Sequence, residues 1–102
     1  MSNAKDMTLR LLEHTAGLPA NQRLILMLYA AHPTDRAGTV SKTAAELAET
    51  LGMSPTVFSR TRRQVVEAGW LEESERLGHI RYYRLSPKAT GEEVVVPLRR
   101  AT

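Results

Sequence analysis

The sequence predicts a mainly α-helical domain that carries one small antiparallel β-hairpin. Three observations predict it. Between residues 6 and 68 apolar residues recur at helical spacing, and two strong helix starts, Thr43-Ala44-Ala45-Glu46 and Ser54-Pro55, fall inside that stretch. From Trp70 to Leu85 the period shortens to alternation, with Gly78 near its centre. The chain has 102 residues, 42% of them hydrophobic, enough for one domain with one modest core.

Asp6–Thr15 reads as a short helix, with Asp6 placed to cap it and Leu9 and Leu12 sharing a face. Pro19–Ala31 reads as a second. Proline suits a first helical turn. Leu24, Leu28 and Ala31 form an i, i+4, i+7 stripe, widened by Ile25 and Met27, so this helix is expected to be mostly buried. Thr39-Val40 is compatible with a very short strand. Thr43 and Glu46 have the capping-box spacing: the hydroxyl accepts from the amide three residues on, and the carboxylate reaches back to the cap amide. That helix runs to about Leu51, and Gly52 is free to take the left-handed conformation that ends it. Ser54 is a good N-cap with Pro55 at the first helical position, opening a helix that runs to Ala68 and stops at Gly69.

Trp70–Glu75 and Ile80–Leu85 read as two strands joined by a tip of Arg76-Leu77-Gly78-His79. Alternation turns Tyr83 and Leu85 to the core and Tyr82 and Arg84 outward. Val94-Val95-Val96 is β-branched and is a candidate further strand, confined to an edge by Pro97.

Several functions are excluded or disfavoured. With no cysteine there is no disulfide, thiolate metal site or cysteine nucleophile. His14, His32 and His79 have no ligand spacing, so no metal or other cofactor is expected. The serines lack a paired base, there is no Gly-rich phosphate loop, and Glu72, Glu73 and Glu75 read as a solvated hairpin edge. The chain is therefore read as a non-enzyme. The longest apolar run, Leu24–Ala31, is far short of the roughly 20 residues that a bilayer requires. No signal-peptide layout is present, and the expected location is the cytoplasm, at the nucleoid. The net charge of +3 is a mild bias towards anionic partners.

Two helices joined by a tight glycine-containing turn make a helix-turn-helix unit, and a hairpin directly after the second helix adds a wing. On the second helix, successive residues rotate by about 100°. Phe58, Thr61, Val65 and Ala68 then fall on one side, expected to pack on the core. Thr56, Ser59, Arg60 and Arg63 fall on the other. Arginine can bond two acceptors on a guanine edge, and Ser and Thr reach phosphates or base edges. Arg62 lies on the flank between the faces. Its stem can pack while its head reaches a phosphate, or it pairs with Glu67 or another acid. Ser54 caps the helix, and its amide sits at the positive helix N-terminus, where phosphate is favoured. Arg76, His79 and Arg81 surround Gly78 as candidate wing contacts, diluted by the neighbouring glutamates. Alternation can also turn Arg81 inward.

Thr43–Glu73, TAAELAETLGMSPTVFSRTRRQVVEAGWLEE, resembles the winged helix-turn-helix core of bacterial repressors. Arg81–Pro87, RYYRLSP, resembles the second wing strand of the arsenic-repressor-like (ArsR) group, and the multiple-antibiotic-resistance-regulator-like (MarR) group is similar at the same elements. The resemblance implies a sequence-specific regulator of transcription, a repressor, that binds double-stranded DNA as a homodimer. It implies a major-groove position for helix 55–68 and a backbone or minor-groove position for the wing. Two departures stand out. An apolar residue is usual at the position of Arg62. The helix 43–51 also lacks the cysteine-containing metal motif of many ArsR-like sensors.

The expected organisation is a leading segment 1–5, disordered or a cloning scar (Ser2-Asn3-Ala4 resembles one), a domain over 6–90 and a tail over 91–102. Asp6–Leu18 and Glu92–Leu98 are the candidate dimer parts. Two other readings share the fold: a winged-helix interaction module in a larger assembly, and a DNA-binding protein of plasmid replication, partition or conjugation. No small-molecule ligand is evident from the sequence.

Overall fold

A computed structural model describes residues 3–91, with side chains from Met7 onward. Among these residues the order is α1 (Asn3–His14), α2 (Ala20–Ala31), α3 (Ala44–Leu51), α4 (Pro55–Glu67), β1 (Leu71–Leu77), β2 (Ile80–Leu85) and α5 (Pro87–Thr90). The expected fold class, mainly α with one antiparallel hairpin, is observed. No described helix is long and apolar enough to cross a membrane. The valine run 94–96 and the tail 92–98 lie outside the described residues.

α2 is the central element and packs against α1, α3, α4 and β2. It contributes Ile25, Leu26, Leu28 and Tyr29 to a core that also takes Leu11, Val40, Leu47, Phe58, Val65, Leu71 and Tyr83. The predicted stripe is shifted: Leu24 is 46% exposed and Ala31 is also exposed. The continuous apolar run gives periodicity little to phase on, and contacts with the other helices decide which side turns in.

α1 differs in the same way. It begins at Asn3, so Asp6 lies inside the helix and not at its cap. The residue it buries is Leu11, while Leu9 is 58% and Leu12 36% exposed. Arg23 of α2 secures the end of this helix, donating to the Leu12 carbonyl at 2.9 Å and to the Thr15 hydroxyl at 3.3 Å.

The two predicted starts are built as the sequence implies. Thr43 Oγ1 accepts from the Glu46 amide at 3.2 Å, and Glu46 Oε1 accepts from the Thr43 amide at 2.9 Å. The Thr43 amide, and then the Thr43 hydroxyl, which also donates to Oε1 at 3.3 Å, favour the charged form and hold the Glu46 carboxyl below its ordinary pKa. Ser54 Oγ accepts from the Val57 amide at 3.1 Å. α3 and α4 end alike. Gly52 (φ 70) and Gly69 (φ 89) take the left-handed conformation. The following residues, Met53 and Trp70, return bonds of 2.9 Å to the Ala48 and Val65 carbonyls.

The strands pair from Leu71↔Leu85 to Leu77↔Ile80, so the turn is only Gly78-His79, tighter than the four-residue tip expected. Antiparallel pairing propagates until the backbone must reverse, and Gly78 (φ 63) lets it reverse late. A bulge at Ser74 interrupts the register. Thr39 Oγ1 donates to Ser74 Oγ at 2.8 Å, and Val40 bridges to Tyr83, so the predicted 39–40 strand is a single bridge.

α5 was not predicted. Ser86 caps it, donates to the Gly69 carbonyl, and thereby clips the base of the hairpin to the end of α4. Lys88 Nζ donates to the Ala68 carbonyl at 2.8 Å and lies 4.5 Å from the Trp70 ring centroid. A cation at a helix C-terminus complements the helix dipole.

Candidate nucleic-acid interface

α4 is positioned by burial of Phe58 (0% exposed), Val65 (0%) and Thr61 (6%). Ala68, expected with them, is exposed, because the helix is already unwinding into the Gly69 cap there. The opposite side carries Thr56, Ser59, Arg60 and Arg63, all exposed. With Pro55 these four line one shallow depression. Neither Arg60 nor Arg63 has an ion pair or side-chain hydrogen bond among the described residues. Ser54 sits at the same end of the helix with its hydroxyl committed to the cap.

A second concavity of about 470 Å³ runs between α4 and the hairpin. Ser59, Arg63 and Glu67 form one wall, His79 and Arg81 the other, and Arg62 and Tyr83 the floor. The structure therefore brings His79 and Arg81 to the polar side of α4. Arg81 is turned towards α4 yet stays 54% exposed. Arg76 does not line this cleft.

The hairpin cations are compensated. Glu73 pairs with Arg76 at 3.3 Å and with Arg81 at 3.9 Å, and Glu72 pairs with Arg84 at 2.8 Å. Exposed pairs of this kind are worth about 0–1 kcal/mol. Their larger effect is on the field, which is weaker over the hairpin than over Arg60 and Arg63. Leu77 (61% exposed) and Ile80 (42%) face each other across the turn and leave the tip apolar.

Arg62 is half-buried, and its head is turned inward. Nη1 donates to Tyr29 Oη at 3.2 Å, and Cζ lies 4.5 Å from the Tyr83 ring centroid and 5.3 Å from that of Phe58. No bond joins it to Glu67. Of the two partners that the sequence leaves open for its head, the acid is not the one it meets among the described residues. The aromatic faces are the difference, since guanidinium stacks on a ring as readily as it pairs with a carboxylate. Burial pushes the Tyr29 phenol above its ordinary pKa, and the adjacent Arg62 charge opposes that shift without cancelling it.

Tyr29 was not among the residues singled out from the sequence, and it lies 33 positions from Arg62. No local pattern links the two. Among the described residues no cluster of three or more His, Asp or Glu is placed to hold a metal ion. No protein-family model, no curated protein and no solved structure matches this chain.

Proposed function

We propose that this protein is a winged helix-turn-helix regulator of transcription, of the ArsR-like or MarR-like kind, that binds double-stranded DNA. In this reading α3 and α4 are the helix-turn-helix, α4 enters the major groove, and β1–β2 is the wing. The observation that carries it is the exposed face of Thr56, Ser59, Arg60 and Arg63, which holds two uncompensated guanidinium groups beside two hydroxyls. That is the donor set for phosphates and guanine edges. His79 and Arg81 lie across a cleft from it and extend the same surface onto the wing. The rest of the reading is a cytoplasmic, nucleoid-associated repressor that acts as a homodimer on two half-sites about one helical turn apart.

One observation favours a second reading. Glu73 is shared by two wing cations and offsets part of their charge, and Leu77 and Ile80 leave the wing tip apolar. A wing of that character also suits docking to a protein.

Titrating isotope-labelled protein with a short duplex separates the two by backbone amide shifts. DNA binding through this face moves resonances of residues 54–63 and 78–81 first. Movement confined to α1, or no movement at low salt, contradicts it.

A further inference from the structure

Arg62 sits where three elements meet. Tyr29 belongs to α2, Phe58 to α4 and Tyr83 to β2, and all three rings are buried. The guanidinium spans them with one hydrogen bond and two ring contacts. An apolar side chain fills such a joint at no greater cost, because a partly buried charge gives up hydration. A planar charge adds direction. Its bond to Tyr29 and its contact with Tyr83 hold only over a narrow range of angles, whereas aliphatic contacts tolerate sliding.

The direction matters because of what the joint supports. Arg62 and Tyr83 form the floor of the cleft that separates Ser59 and Arg63 from His79 and Arg81. The hairpin is held at its base by the Trp70 amide and by Ser86, and further along by Thr39 on Ser74 and by the Val40 bridge to Tyr83. Swinging the hairpin away from α4 must draw Tyr83 off the guanidinium, which holds the ring while Val40 holds the backbone.

We propose that Arg62 is a positioning residue: through Tyr29 and Tyr83 it sets the angle between α4 and the hairpin, and it is not itself a phosphate contact. The consequence for DNA rests on the function proposed above, while the joint itself does not. With the angle fixed, helix and wing meet the duplex in one register. With it loosened, each still finds phosphates but the two no longer read one site together.

The chain has no cysteine, so spin labels can be placed at Glu49→Cys on α3 and Leu77→Cys at the hairpin end, both exposed. The label distance is measured without DNA in the parent and in Tyr29→Phe, Arg62→Met and Arg62→Lys. A single narrow distribution is expected for the parent. Arg62→Met is expected to broaden or shift it, Tyr29→Phe to do so to a lesser degree, and Arg62→Lys, which keeps the charge without the plane, not to restore it. Distributions unchanged in both Arg62→Met and Tyr29→Phe overturn the joint. Tyr29→Phe removes one oxygen and keeps the ring, so it carries the distance test if Arg62→Met fails to fold.

On DNA, Arg62→Met without labels is expected to keep the parent's salt slope on random duplex. It is expected to lose about tenfold in preference for a selected site, within the range seen for residues that share a contact network. A slope shallower by about 0.9 makes Arg62 a phosphate contact and overturns the proposal. A parent that binds no DNA, with broadened distances in the variants, upholds the joint and removes the regulatory reading instead.

Discussion

At the scale of single residues, the direction of Arg62 is set by aromatic partners on two other elements. Helical rotation put it on a flank, and the sequence offered phosphate or an acid as its partner. The structure supplies Tyr29 and Tyr83, from distant parts of the chain. The caps were legible because they are local. Thr43 with Glu46, and Ser54 with Pro55, act within one turn and need no tertiary partner. Tyr29 also gives a pH signature. Burial raises its folded-state pKa above 10, so the folded form holds a proton that the unfolded chain releases. Its contribution to stability is then complete below the unfolded value of about 10 and falls as pH rises towards the folded one. Urea midpoints compared between pH 8 and pH 11 are expected to drop more for the parent than for Tyr29→Phe.

At the scale of elements, α3, α4 and the hairpin were placed within a few residues, since each is bounded by a cap, a glycine or both. α5 was missed although Ser86-Pro87 repeats the Ser-Pro start of α4. A four-residue helix has too few residues for periodicity to support its start. The buried side of α2 was misphased because Leu24–Ala31 is apolar throughout, and α1 turns in Leu11 while Leu9 and Leu12, which share a face, stay exposed. The helix-ending turns give a paired prediction. Gly52 has φ 70 with open space around its Cα, so Gly52→Ala meets no clash and costs only the left-handed strain, about 1–2 kcal/mol. Gly17 is equally open and is not among the positive-φ glycines, so Gly17→Ala is expected to be neutral or to stabilise by up to about 1 kcal/mol. Equilibrium denaturation of the two variants checks both. Equal losses contradict the assignment of Gly52 as the turn that sets α4 on α3.

At the scale of the whole molecule, the proposed interface is two surfaces of unequal charge joined at a cleft. Composition gave the mild positive bias but not its distribution. On α4, Arg60 and Arg63 have no ion pair among the described residues, while the hairpin's arginines are paired with Glu72 and Glu73. Glu73 is then a brake on the wing. Glu73→Gln releases Arg76 and Arg81 and is expected to strengthen binding to random duplex at low salt. It is also expected to steepen the salt dependence by up to two contacts, each about 0.9 in slope. An unchanged slope places both arginines away from the backbone and favours protein docking by the hairpin.

The proposed function stands or falls on whether the exposed face of α4 holds duplex DNA. Its most direct test is fluorescence anisotropy with random duplex over a salt series, for the parent and for the Arg60→Ala, Arg63→Ala double variant. If that face holds the duplex, the parent's log affinity falls linearly with log salt, and the variant binds with a slope shallower by up to about 1.8, two contacts of about 0.9 each, or not at all. No binding by the parent at about 50 mM salt, or equal slopes for the two proteins, contradicts it.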